Sequence, residues 1–568
     1  MMKRFLKTCL VCFCAAGLLV GCGDSAGTKG GLSSNAVSRE DSRSKEYTDA
    51  VNIVLADTGI TVDGAAVSKE ETAPVYAAND IVFYLEGQGF TYGEGTEADE
   101  HSQEEADRHT VVHITQPGTY AVSGSLSAGQ IAVDLGEEAE EDPEAVVTLI
   151  LNGVDITCEV APAVIFYNVY ECGQADAETA TRDVDTSAAG ANVVIADGTY
   201  NTVNGSYVAR IYKSYELNEA GTEVVDNKKL HKYDGAFYSK MSMNVDGEEK
   251  ETGVLEINAE NEGLDSELHL TINGGNIKIT SGNDGINTNE DGVSVTTING
   301  GSLAITVDGS TGEGDGIDSN GWLVINGGNV TAYACSFSGD AGIDSDMGIH
   351  INGGTVVATG NMLDQISESS QNYAVFSFAS GHSGGNTVTL KNDKKKAVGR
   401  WNTVNDYSYL ILSLPEMTAG TYTLYEGDTQ LAGMAGDMGF GGMGGGFGFA
   451  GGQMPEGFEG GKLPEGFEGG KMPENFEGGE LPEGFEGGEL PEGFEEGKMP
   501  EMPEMPEGEM PSEGQKPTGD MPAGGFGGNG GRPGIGMGQQ GFGGMAELSA
   551  EFVISAGGNY FNFVSEAE

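Results

Sequence analysis

Between Gly263 and Gly354 apolar and polar positions alternate in short runs that restart at a fixed interval. In one copy Leu323 and Ile325 are apolar, a glycine pair follows at Gly327 and Gly328, and Val330 and Ala332 resume the alternation. A side-chain period of two is that of a strand, and paired glycines supply the positive-φ turn that ends one. The phrase Ile-Asn-Gly-Gly starts at Ile272, Ile298, Ile325 and Ile351, so the unit is 26 or 27 residues long. Each copy is introduced by a variant of Gly-Ile-Asp-Ser, at Gly263, Gly285, Gly316 and Gly342. No helix-length apolar pattern fits inside such a unit. Every copy is therefore predicted as two or three short strands, and copies stacked in parallel register close a core that one copy alone cannot bury. The expected fold is all-β, a parallel β-helix solenoid.

Stacking has chemical consequences, because equivalent positions in neighbouring copies lie ~4.8 Å apart. Asn273, Asn299, Asn326 and Asn352 are predicted to form a column whose amides hydrogen-bond along the stack. With Ile317 inward, Asp318 and Asn320 point outward. One outward column is then Asp265, Asn287, Asp318 and Asp344, a second Glu267, Asn289, Asn320 and Asp346, and Glu262, Asp284 and Asp315 precede the glycines. Carboxylates ~5 Å apart repel by about 1 kcal/mol even at water-like dielectric. Either these acids solubilise an exposed face, or oxygen ligands from adjacent copies hold a hard cation, for which Ca2+ is the expectation. The candidate ligands are Asp265, Asp284, Asp315, Asp318, Asn320, Asp344 and Asp346, with Asp318 and Asp344 the strongest pair.

Upstream, Lys3, Arg4 and Lys7 precede an apolar run from Cys9 to Val20, the layout of an export leader too short for a permanent membrane span. Its end, Leu19-Val20-Gly21-Cys22, resembles the bacterial lipobox. That resemblance implies cleavage before Cys22, lipid attachment to it, and a membrane-anchored, extracytoplasmic protein. The expected division is a leader (1–21), a flexible tether (22–48), the β-helix (49–365), a C-terminal β cap in two parts (366–432 and 545–568), and a long insertion between them (433–544). In that insertion Pro455, Pro464, Pro473, Pro482, Pro491 and Pro500 recur every nine residues in a Gly-rich, Glu-rich context. Such a segment cannot hold ladders or a core and is expected to be disordered. Cys158, Cys172 and Cys335 do not make a disulfide framework; Cys158 and Cys172 are either bridged or free.

The chain before the clear repeats carries further distinctive phrases. They are Gln116-Pro117-Gly118-Thr119-Tyr120-Ala121-Val122-Ser123-Gly124, then Val147-Thr148-Leu149-Ile150-Leu151-Asn152-Gly153-Val154-Asp155-Ile156, then Ala196-Asp197-Gly198-Thr199-Tyr200. In this order, and continuing into the repeats, they resemble a bacterial carbohydrate-binding β-helix family from about Val51 to Tyr425 and again near Phe552. The resemblance implies a right-handed β-helix shaped like polysaccharide lyases, bound calcium at the Asp-Gly-Ile-Asp-Ser acids, and affinity for polysaccharide of the cellulose or pectin type, without established catalysis. Three departures stand out: Asn287 in place of Asp, Ala341 in place of the leading acid, and an apparent insertion from Ser206 to Lys232.

Charge narrows the partners. With 28 basic and 88 acidic residues the formal net charge is −60, which excludes a nucleic-acid surface. The mature protein is expected to act as a monomer. A lyase needs a strong base beside the metal, and Lys278 is the one Lys or Arg between Leu255 and Gly360. Binding is therefore expected over catalysis, with a bare structural stalk and a weak lyase or hydrolase as the other readings. For sugar stacking the candidate is Trp322, next to inward Leu323; packing against a neighbouring loop is its other reading.

Overall fold

The structure, a computed structural model, describes residues 31–173, 176–435 and 549–566. Within them the protein is nearly all β: the α-helix amounts to Gln103–Ala106, and no helix is long and apolar enough to cross a membrane. Strands gather in a 25-stranded sheet, a 7-stranded sheet and a two-stranded hairpin.

Three stacks of parallel strands account for the repeats. The first contains Ala191–Ile195, Met243–Gly247, Leu270–Ile272, Val295–Ile298, Trp322–Ile325 and Gly348–Ile351 in parallel register. A second runs through Tyr200–Gly205, Val254–Ala259, Asn276–Ser281, Ser302–Val307, Asn329–Tyr333 and Thr355–Gly360. The third holds Thr110–Ile114, Gly129–Val133, Val164–Phe166, Gly235–Ser239, Glu262–Ser266 and Ile286–Thr288, and a bridge from Ile286 to Ile317 extends it. In each repeat the chain visits the third stack, then the first, then the second.

Alternation decides which side chains fill the interior. Val245, Ile272, Ile298, Ile325 and Ile351 fall in one register column, and Leu264, Ile286 and Ile317 in another; all are at most 1% exposed. Fully burying such a side chain contributes about 1.5–3 kcal/mol. One column of this kind per stack makes the core continuous along the repeats.

The Asn-Gly-Gly turn shows why each of its residues is needed. Asn299, Asn326 and Asn352 each donate an amide N–H to the Oδ1 of the asparagine one repeat earlier, at 2.9, 3.0 and 3.0 Å. A Cβ on the first glycine would meet that same preceding residue's carbonyl oxygen, at 2.3 Å for Gly327. The second glycine takes a positive φ, 80° at Gly328, which L side chains avoid.

One expectation about the chain's periphery is corrected. Residues 31–45, expected within a free tether, lie against the corner between the first and second stacks. Gly31 accepts from Asn329 (2.9 Å), Ser33 donates to Asn276 (3.0 Å), Val37 to the Thr252 carbonyl (2.8 Å), Arg43 to the Gly198 carbonyl (2.9 Å) and Lys45 to Asn152 (3.0 Å). Composition alone hid this, because small polar residues suit an edge of unpaired corner amides as well as they suit water. Cys158 and Cys172, left open between bridged and free by the sequence, are free. The Ser206–Lys232 segment is an antiparallel hairpin, Val208–Leu217 with Val224–Tyr233.

A β cap follows the last repeat. Tyr407–Ser413 pairs antiparallel with Thr355–Gly360, and Tyr373–His382 runs between it and Gly558–Glu566. Trp401, Tyr407, Phe376 and Leu410 are buried in the cap's own core. Cys22, the leader and the Pro-Glu-Gly-Phe segment lie outside the described residues.

Candidate metal site

On the third stack the outward column next to Leu264, Ile286 and Ile317 changes character along its length. It reads Ile165, Tyr238, Asp265, Asn287 in register, and Asp318 follows Ile317 across the bridge. The acids thus begin midway, where the Gly-Ile-Asp-Ser phrase becomes regular.

Asp315, Asp318 and Asp344 each place a carboxylate oxygen within 4.8 Å of the others. Backbone pairing sets this: Asp318 N–H donates to the Ile286 carbonyl (2.8 Å) and Asp344 N–H to the Ile317 carbonyl (2.7 Å), so successive acids stand one repeat apart. Asp315 accepts from the Ala341 N–H, and the Asp315 N–H donates to Asp284 Oδ1 at 2.7 Å. Burial, and after it the charge of neighbouring carboxylates, pushes Asp315 up to about 10 and Asp318 and Asp344 up to about 7. Asp284 is raised to about 7 by burial, against the stabilising Asp315 N–H. Asp364, which the repeat pattern did not reveal, lies close enough to Asp344 to be the leading charge that raises it.

A second group forms where the repeats are less regular. Asp234, Glu262 and Asp265 bring carboxylate oxygens within the same 4.8 Å, and all three are buried. The hairpin covers them: Lys232 pairs with Asp234, and Lys229 pairs with Glu267 at 2.8 Å. Glu262 Oε2 and Asp265 Oδ2 are buried without a hydrogen-bond partner, while Asn289 donates to Asp265 Oδ1 at 2.7 Å. Burial and neighbouring acids raise both carboxyls well above the ordinary range.

The predicted ligands therefore do not make one site. Asp315, Asp318 and Asp344 come together; Asp284 adjoins them through the Asp315 N–H. Asp265 belongs to the other group, with Asp234 and Glu262, which the column reading left out of the ligand set. Asn320 turns its amide to the Asn289 carbonyl (2.9 Å) and Asp291 (3.1 Å), and Asp346 is exposed. The backbone pairing still reaches them, Asn320 N–H donating to the Thr288 carbonyl (2.9 Å) and Asp346 N–H to the Ser319 carbonyl (3.1 Å), but their side chains do not join the Asp315, Asp318 and Asp344 group. Trp322 is half-buried on the first stack, in register with Val295 and Gly348.

Either acidic group offers only oxygen donors, the chemistry of a hard cation. Adjacent buried carboxylates with raised proton affinity, and buried oxygens lacking a partner in the second group, fit a positive charge at these positions.

A sequence profile of the family described as carbohydrate-binding domain-containing protein matches residues 108–428. A curated relative with the same description, from Acetivibrio thermocellus, is 30% identical over 170 residues, which is 30% of this chain and 44% of the relative. The chain thus spans under half of that relative's length. A solved polysaccharide lyase-like protein from C. thermocellum, a gadolinium derivative, is 21% identical, with 56% of this chain and 92% of that one covered at a TM-score of 0.30.

Proposed function

Because the chain belongs to the family of carbohydrate-binding domain-containing proteins, we propose that it binds polysaccharide of the plant-wall type at the cell surface, on a right-handed parallel β-helix stabilised by calcium. The observation that carries this reading is the extent of the family match, residues 108–428, which takes in the repeats of all three stacks. The three stacks visited in constant order are the faces of the β-helix.

Calcium would be held by Asp315, Asp318 and Asp344, with Asp284 and Asp364 beside them. The ion supplies positive charge to acids that otherwise raise one another's proton affinity, and it ties adjacent repeats together. Asp265 with Glu262 and Asp234 would form a second, covered position. The protein would be exported and held by lipid on Cys22, acting as a monomer.

Binding without cleavage is the preferred reading over a lyase. Lys278, the one Lys or Arg between Leu255 and Gly360, pairs with Glu256 at 2.8 Å on the second stack, and Lys232, which reaches the second acidic group, is tied to Asp234. The test is a glycan array with product analysis in parallel, run with calcium and with chelator. Retention of a polysaccharide without release of products supports the reading. Products from the retained glycan would show an enzyme instead, and no retention at all would leave only a stalk.

A further inference from the structure

In the regular repeats the passage from the third stack to the first is short, as from Ser239 to Met243 or from Ser266 to Leu270. Two repeats break this rule, from Val133 to Val147 and, at greater length, from Phe166 to Ala191. In stacked-repeat proteins such insertions collect on one face, often the binding face. Here residues 182–187 lie as a strap along the first stack. Thr186 Oγ1 is 2.7 Å from both Asn244 Oδ1 and Thr271 Oγ1, and the Asn244 amide donates back to the Thr186 carbonyl at 2.8 Å. At the other end Arg182 Nη1 lies 3.0 and 3.2 Å from the two ring nitrogens of His350. The strap is thus pinned at three repeats, those of Asn244, Thr271 and His350, with those of Thr297 and Val324 between.

Between the strap and the asparagine corner runs a groove of two adjoining cavities, about 380 and 310 Å3, which share Val184, Asp185 and Thr297. Its floor is the outward column Asn192, Asn244, Thr271, Thr297 and Val324. Its far wall is Asp246 and the ladder Asn273, Asn299, Asn326 and Asn352. Within the ladder each inner asparagine uses one N–H and one lone pair of its amide, which leaves a second donor and a second acceptor for a ligand. These groups recur every ~4.8 Å along the stack. The wall therefore presents the same donor and acceptor pair repeatedly to anything lying parallel to it.

We propose that this groove binds a neutral polysaccharide chain laid along the stacking direction, its hydroxyls held by the asparagine ladder and its ring faces by Val184 and Val324. Charge selects the class of sugar. Arg182 is the basic residue of the groove, against Asp183, Asp185 and Asp246, so a polyuronate meets net repulsion where a hydroxyl-rich neutral glycan does not. Pinning of the strap in the free protein keeps the ordering cost of binding low. Trp322 precedes Val324 by two positions on the same strand, away from the asparagine corner, and lines neither cavity. The proposal rests on the carbohydrate-binding reading and adds the site and the sugar class.

Two substitutions fill the groove from opposite sides: Thr297→Trp on the half-buried floor and Ser187→Trp on the exposed strap. The full chain is titrated calorimetrically with β-1,4-gluco-oligosaccharides and with oligogalacturonides, and melting is recorded for each protein. The expected result is tighter binding of the neutral series by the wild type and at least a tenfold loss in each variant, with melting unchanged. If Thr297→Trp does not fold, Ser187→Trp decides. A folded variant that binds like the wild type overturns the groove and leaves the carbohydrate reading intact. Preference for the galacturonides overturns the sugar class. A wild type that binds neither series, nor any glycan on an array, overturns the carbohydrate reading and the groove together.

Discussion

Replacing Asp318 and Asp344 together with Asn removes two charges while keeping side-chain size. Both carboxyls sit at about 7 in the metal-free fold, against 3.8 for an ordinary aspartate. Three decades of proton affinity correspond to about 4 kcal/mol per group. The sign follows from linkage: a carboxyl whose folded value is raised favours the fold while protonated, so the contribution is present at low pH and is lost as pH rises from about 4 through about 7. Part of each shift is the other acid's charge, so the two do not add, and about 2–4 kcal/mol for the pair is the working figure. Without metal at pH 8 the double variant should therefore melt higher than the wild type, and at pH 5 the gap should shrink. Calcium at a hundredfold excess over its dissociation constant stabilises the wild type by about 2.7 kcal/mol. In the variant most of that gain should vanish. The assay is thermal melting over pH 5–8 with calcium or with chelator. Equal calcium responses in the two proteins would refute the site, and a variant that melts lower without metal at pH 8 would refute the electrostatic argument behind it.

Three further outcomes are expected. Gly327→Ala puts a Cβ 2.3 Å from the Asn299 carbonyl oxygen and should cost about 1–3 kcal/mol by denaturant melting, whereas an unchanged midpoint would mean the repeats can separate freely. The amides of Val37, Arg43 and Lys45 should exchange hydrogen far more slowly than a free peptide, since each donates into the corner; free-peptide rates would return residues 31–45 to a tether. Cys22→Ala should release the protein from the membrane fraction, and undiminished retention would remove the lipid anchor.

The repeats were readable because period-two alternation and a fixed 26- or 27-residue interval set both the direction and the register of each side chain. Ile317 inward and Asp318 outward follow from that alone, and so does the asparagine ladder. What covers an outward side chain does not follow. Asp265 is outward by pattern and wholly buried in fact, because a hairpin inserted thirty residues upstream folds back over it. Asp234 falls outside the predicted ligands because its degenerate repeat, Asp234-Gly235-Ala236-Phe237, carries Phe where the phrase has Ile or Leu and sets Gly235, not Asp234, opposite Glu262. The strap and residues 31–45 have no periodicity to read. Their positions depend on unpaired corner and face groups distant in sequence, such as Asn276 for Ser33 and Asn244 for Thr186.

The path of residues 31–45 also fixes an order of events and a direction. Gly31 N–H donates to Thr331, 300 positions later, so the earliest described part of the chain cannot find its place until nearly every repeat exists. A loop of that length closes slowly, and the segment is in effect a final latch drawn down the finished column. It also runs against the growth of the stack: residue 45 meets the repeat of Asn152, while residue 31 meets that of Asn329. Were Cys22 to carry the lipid proposed above, nine residues would reach at most ~30 Å from Gly31. The last-made repeats would then stand nearest the anchoring surface, and the first-made end would point away from the cell.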